Sequence, residues 1–146
     1  MEEITRDVAT DRFLQFLIDR ARNGTIEGIH EILSEGPAGR KPAAVAVARH
    51  EWFRGLSAED QSRVVEIIHE SVDSAIFGVL VVLDGLAGGN PVEGVTSDFS
   101  IALQTYVDEH ARRDDAAKIS VRINPSDTTE SLHDRFRWKL DAMSQG

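Results

Sequence analysis

The stretch from Ser57 to Gly89, SAEDQSRVVEIIHESVDSAIFGVLVVLDGLAGG, constrains the fold more than any other part of the chain. Val64, Val65, Ile68, Val72, Ala75, Ile76, Val79, Leu80 and Leu83 recur at three and four residues, the spacing that lines one face of an α-helix. Ser57 is placed to cap that helix, with Asp60 three residues on as an echo of the capping box. Helical throughout, residues 58–87 would run about 45 Å at ~1.5 Å per residue. A globule of this chain length is about 38 Å across. The helix therefore either spans the molecule or breaks, with Gly78 or Ser71–Ser74 as the hinge. A rival reading makes Ile76–Leu83 a buried strand, because the segment is rich in Val and Ile. The stripe continues through it at helical spacing, and helix is the favoured assignment.

Ahead of this stretch, Thr10 and Asp11 can cap a first helix whose apolar face is Phe13, Leu14, Phe16, Leu17 and Ile18, with Gly24 as its stop. Thr25 then caps a second helix with the stripe Ile26, Ile29, Ile32 and Leu33, ended by Gly36. Pro42 suits the first position of a third helix closed by Gly55, where Trp52 and Phe53 fold over the edge of the core. After the glycine-rich loop at 85–91 the period changes. Phe99, Ile101, Leu103, Thr105 and Val107 alternate with small and polar residues, and Ile119, Val121 and Ile123 alternate again. That is the period of half-buried strands, so residues 97–107 and 117–124 are expected to form an antiparallel hairpin. The polar connection VDEHARRDDAA reads as an exposed tongue. Ser126 or Asp127 would cap a last helix with Leu132, Phe136, Leu140 and Met143 inside. The expected architecture is α+β and mainly helical, with about five helices and one small hairpin in a single domain, 1–146.

The net charge of −9 is unevenly distributed. Residues 51–98 hold nine acids (Glu51, Glu59, Asp60, Glu66, Glu70, Asp73, Asp84, Glu93 and Asp98) against only Arg54 and Arg63. An acidic middle disfavours nucleic acid as a partner, since phosphate backbones need a basic footprint. Late bases, Arg112, Arg113, Lys118, Arg122, Arg135, Arg137 and Lys139, are interleaved with acids and read as a mixed solvated surface. With no cysteine, the chain has no disulfide framework, thiol nucleophile or thiolate metal site. The opening MEEITRDVATDRF lacks a basic and then apolar leader, and the most apolar run, Ala75 to Leu83, is too short to span a bilayer. A cytoplasmic protein without membrane contact is the expectation.

One pattern recurs. Glu27-x-x-His30-Glu31, Glu66-x-x-His69-Glu70 and Glu130-x-x-His133-Asp134 each put Glu and His three apart on an expected helix. Two such pairs with two further Glu residues build a di-iron bundle site, provided that they face the interior. Here Glu27 and His30, then Glu66 and His69, and then Glu130 and His133 all lie away from their helices' apolar stripes. Solvated polar faces are the expectation, with Glu66, His69, Glu27 and His30 as the ligands if metal binds. HEWF and HESV lack the second His of a zincin, and GLAGGN lacks the Lys and Ser or Thr of a phosphate loop. No Gly-x-Ser-x-Gly elbow is present. Asp84, at the end of the apolar run, is either a structural anchor hydrogen-bonded to amides of the Gly85–Asn90 loop or a perturbed catalytic group, and the anchor is favoured because no His or Ser lies nearby in sequence to pair with it. Asp73 is either a similar anchor or part of the outward face. Trp138 sits off the inner line of the last helix and is a contact candidate.

The order of parts resembles small bacterial α+β proteins, many of them uncharacterised and some of immunity-protein type. The similarity rests on VDSAIFGVLVVLDGL, the polar strand pair after it and the closing ESLHDRF helix, over roughly residues 57–137. It implies a binding protein that blocks a partner and brings no catalytic residues. The leading functional expectation is therefore a non-enzymatic protein–protein interaction module, of immunity type, without a cofactor. It would meet a basic partner through Glu59, Asp60, Glu66, Glu70 and Asp73, with Trp138 as a further contact. The alternatives are a metal-binding protein or metal-dependent enzyme using the Glu/His pairs, and a structural homodimer through Trp138 and the strand edge.

Overall fold

A computed structural model of the chain describes residues 5–85, 101–106, 112, 119–123 and 131–145. The fold is α+β and mainly helical. Helix α1 (Arg6–Phe16) runs through a π-helical segment, Leu17–Asn23, into α2 (Gly24–Ser34); then come α3 (Ala44–Arg54) and α4 (Ala58–Leu83). Strands β1 (Ala102–Thr105) and β2 (Ile119–Arg122) pair antiparallel, and α5 (Leu132–Ser144) follows. The pairing Leu103↔Val121 and Gln104↔Ser120 confirms the hairpin over the described part of its two strands. The tongue at 107–117 lies outside the described residues except for Arg112.

Helix α4 is continuous, so Ile76–Leu83 is helix and neither Gly78 nor Ser71–Ser74 breaks it. Its 26 residues span about 39 Å at ~1.5 Å per residue. Ser57 accepts the amide of Asp60 at 3.1 Å and donates to the Asp60 carboxylate at 2.8 Å, closing the first turn from both sides. The helix ends at Leu83, earlier than residue 87, because Gly85 takes φ +76. Its amide bonds back to the Val82 carbonyl at 3.0 Å. Only glycine enters that left-handed region without strain, which makes it a natural helix stop.

Several local expectations are corrected. The stop at Gly24 and the caps at Thr10, Asp11 and Thr25 do not form. Asn23 is itself helical (φ −63, ψ −45) without a capping side chain, and Gly24 lacks the positive φ that would turn the backbone aside. The π segment keeps the path helical instead, and Thr10 is buried inside α1. Helix α3 starts at Ala44, not at Pro42, and α5 is capped by Ser131, whereas Ser126 and Asp127 lie outside the described residues. Trp52 stays exposed while Phe53 alone turns inward. The long stripe of α4 is also shallower than its pattern: Leu80 is buried, but Val79 and Ala75 are exposed.

The chain groups into two compact units, residues 17–76 and residues 1–16 with 77–146. In the first, Ile18, Ile26, Leu33 and Phe53 form the buried core, although Ile29 and Ile32 of the expected α2 stripe stay largely exposed. His50 of α3 donates from Nδ1 to the Leu33 carbonyl at 2.8 Å. The backbone at Gly36 (φ +95) passes under the His50 ring, leaving an added Cβ only 3.4 Å from it. Gln61 reaches back to the Phe53 carbonyl at 3.0 Å. In the second unit, Ala9, Leu14, Leu80, Ile123, Leu132 and Phe136 are buried, while Met143 of the expected inner face is exposed. Arg6 donates to the Ile123 carbonyl at 3.3 Å, and Arg135 bridges Asp7 and Asp11 of α1 at 3.0 and 3.2 Å.

Candidate functional site

Two polar constellations stand out, one in each unit, and both involve α4. The first begins at Asp84. A carboxylate at the end of α4 meets the negative pole of its own helix, an unfavourable place for it, but the N-terminus of α5 offers the opposite field and free amides. Asp84 turns to that end. Its Oδ1 accepts the Leu132 amide at 3.0 Å, and Oδ2 accepts the His133 amide at 3.1 Å and His133 Nδ1 at 2.8 Å. The anchoring bonds thus go to α5, not to the amides of the Gly85–Asn90 loop, most of which lies outside the described residues. Both side chains are nearly closed to solvent, at 8% and 13% exposure.

This placement corrects the reading of His133 as outward. Its ring stands edge-on to Phe77 at 5.2 Å between centroids, and Arg137 lies 5.8 Å over the Phe77 ring. The third Glu-x-x-His pattern therefore contributes a mostly buried imidazole, and Glu130 itself is outside the described residues. His133 Nε2 lies 3.4 Å from Ser131 Oγ and 3.6 Å from an Asp134 oxygen.

Ser131, His133 and Asp84 thus follow the connectivity of a hydrolytic triad, but the geometry binds them to a different task. Ser131 Oγ caps α5, accepting the Asp134 amide at 3.3 Å and donating to the Asp134 carboxylate at 2.5 Å. The Leu132 and His133 amides, the natural oxyanion donors at this helix end, are already spent on Asp84. A nucleophile tied down as a cap, beside donors already occupied, has no free donor among the described residues with which to hold a developing oxyanion. The cluster is a clamp between the end of α4 and the start of α5.

The second constellation is the acidic face of α4, with five acids against the single base Arg63. These carboxylates have different fates. Glu59 and Asp60 are matched within the helix by Arg63, at 2.5 and 3.3 Å. Asp73 is an anchor: Arg22, swung inward by the π segment, meets it in a bidentate fork, Nε–Oδ1 2.5 Å and Nη2–Oδ2 3.0 Å. That pair is mostly buried, and forks of this kind are the strong form of an ion pair. Glu66 and Glu70 are exposed and have no cation beside them among the described residues. Together with Ser62, Val65 and His69 they line an open depression of about 430 Å³.

The remaining sequence candidates separate cleanly. Glu27 and His30 stand exposed on α2. Among the described residues, no three His, Asp or Glu side chains are gathered closely enough to hold a metal ion. Trp138 is exposed on α5. No described helix is long and apolar enough to cross a membrane. What sequence reading missed was the Asp84–His133 contact. The residues are 49 positions apart, and the only local signal was a carboxylate at the wrong end of a helix. No known protein family, curated protein or solved structure matches this chain.

Proposed function

We propose that the protein is a non-enzymatic protein–protein interaction module that receives a basic partner on the outward face of α4. The observation carrying this reading is Glu66 and Glu70: one turn apart, exposed, unmatched by any described cation, and set at an open depression in a helix of net negative charge. Two carboxylates at this spacing suit a Lys or Arg pair from a partner helix. A negative field around them speeds encounter with a basic surface and weakens as salt rises. Glu59, Asp60 and Asp73 add to the field, although their own partners hold their side chains in place. An immunity-type role, in which such a face covers the basic surface of a toxin, belongs to this reading as its narrower form.

The test compares what the wild-type protein and the E66K/E70K variant retain from extracts of the source cells. A strongly basic chain held by the wild type, released by moderate salt and lost by at least about tenfold in the variant supports the reading. Identical retention by the two proteins overturns it.

A further inference from the structure

Helix α3 carries two stripes of the same period, and only one of them is used. Ala46, His50 and Phe53 turn inward, with Phe53 buried and His50 bonded to the Leu33 carbonyl. The outer stripe is Val45, Ala48, Arg49 and Trp52, at positions i, i+3, i+4 and i+7, and every member of it is exposed. That is the spacing with which a helix packs against another helix, not the composition of a solvated face. Val45 and Trp52 are 57% and 54% exposed, and Arg49 lies between them without an ion-pair partner among the described residues. Trp and Arg together are the residues that most often carry the binding energy of an interface.

Charge singles out the occupant. Residues 40–54 hold Arg40, Lys41, Arg49 and Arg54 against Glu51 alone, a basic segment in a chain of net charge −9. The complementary surface is already present in the same unit. Ser62, Val65, Glu66 and His69 are again i, i+3, i+4 and i+7, now along the depression of α4, with Glu70 beside them. One stripe has a large aromatic knob and an unmatched cation. The other has small and medium side chains around a depression with two unmatched carboxylates. Within one chain the two stripes leave each other unsatisfied: every member of the α3 stripe is exposed, Ser62, Glu66 and Glu70 of the other are exposed while Val65 and His69 are partly covered, and no ion pair among the described residues joins them.

We infer that the α3 stripe Val45–Ala48–Arg49–Trp52 docks into the α4 depression of a second copy of this chain, Arg49 meeting Glu66 and Glu70 while Trp52 fills the space beside Ser62. The inference rests on the acidic-face reading and adds a second occupant of that face, the locally basic α3 of another copy. The contact joins unlike surfaces: a two-fold dimer closes where each copy's knob enters the other's socket, and assembly otherwise proceeds past two copies or closes as a larger ring. It buries apolar surface around a bidentate Arg–carboxylate contact, an arrangement with geometric specificity as well as charge.

Sedimentation velocity of the full chain over a roughly hundredfold concentration range tests this directly. The wild type is expected to grow in mass with concentration and to dissociate in high salt. R49A/W52A, which keeps only the socket, and E66K/E70K, which keeps only the knob, are each expected to stay monomeric, with self-affinity at least about tenfold weaker. Circular dichroism should give both variants the wild-type helix content, because every altered side chain is surface-facing. Mixed in equal amounts, the two variants should form a dimer and nothing larger, since that pair retains one knob and one complementary socket. A monomeric wild type, a variant that still self-associates, or a mixture that remains monomeric each overturns the inference. Its failure is separable from that of the acidic-face reading: a monomeric wild type whose basic partner is lost in E66K/E70K removes self-association alone.

Discussion

Glu66-x-x-His69 and the turn around His133 are written almost identically in sequence, yet the molecule uses them in opposite ways. His133 is clamped by Asp84 at the start of α5, nearly closed to solvent, with each hydrogen-bonding atom of the Asp84 carboxylate engaged. Around His69 the carboxylates of Glu66 and Glu70 stand in the open with no described cation beside them. The difference lies in what is opposite. A helix N-terminus with free amides faces Asp84 in its own unit, whereas the outer side of α4 near His69 faces solvent. Polar groups with a built-in partner hold the fold; polar groups left without one are available to something else.

The contrast can be tested by its stability consequences, using the protein's own reporters. The two tryptophans fall one in each unit, Trp52 and Trp138, so W138F and W52F backgrounds give separate fluorescence readings of denaturant unfolding. Asp84→Ala should have the largest effect. It leaves two helix amides and an imidazole N–H without acceptors in a nearly closed site, a loss of about 2–4 kcal/mol in the Trp138 reading. A change below about 0.5 kcal/mol would mean that the clamp does not hold α5. Next comes Arg22→Ala, which strands a mostly buried Asp73. A cost of about 1–3 kcal/mol is expected in the Trp52 reading, and a recovery in the double variant R22A/D73N would show that the stranded charge is the cause. Ser131→Ala removes the α5 cap and should cost about 1 kcal/mol, again in the Trp138 reading.

The smallest effect sharpens the comparison most. E66Q/E70Q should leave stability within about 0.5 kcal/mol of wild type, since exposed carboxylates without partners contribute little to folding. The same variant should lower affinity for a basic partner and flatten its salt dependence. A large loss of stability in E66Q/E70Q would turn this open face into another internal clamp and end the contrast.

Much of the architecture follows from local pattern. The three-and-four spacing of Val64 through Leu83 specified a helix against the rival strand, because β-branched content is a weaker signal than sustained period. Alternation in 101–105 and 119–123 specified the paired strands, and Ser57 with Asp60 specified where α4 begins. The α-helical period failed at Leu17–Asn23, where a π segment carries the chain past Gly24. Glycine permits a stop without requiring one, and here the continued helix delivers Arg22 to Asp73. The acidic face was legible because it is a property of one helix. Which of its members are spent was not, since Arg22 lies 51 residues from Asp73.

The sequence by itself determined most element types, the helical state of Ile76–Leu83, the acidic surplus around α4 and the absence of thiol chemistry. Each of these depends on composition or on neighbours within a turn or two. The tertiary structure decided that Asp84 belongs to α5, that His133 turns inward although its pattern matches that of His69, and that Trp52 and Arg49 face outward in one stripe. Those outcomes depend on what comes to lie opposite a side chain once distant segments pack, and hydrogen bonds and burial are set by that neighbour, not by the residue's own period.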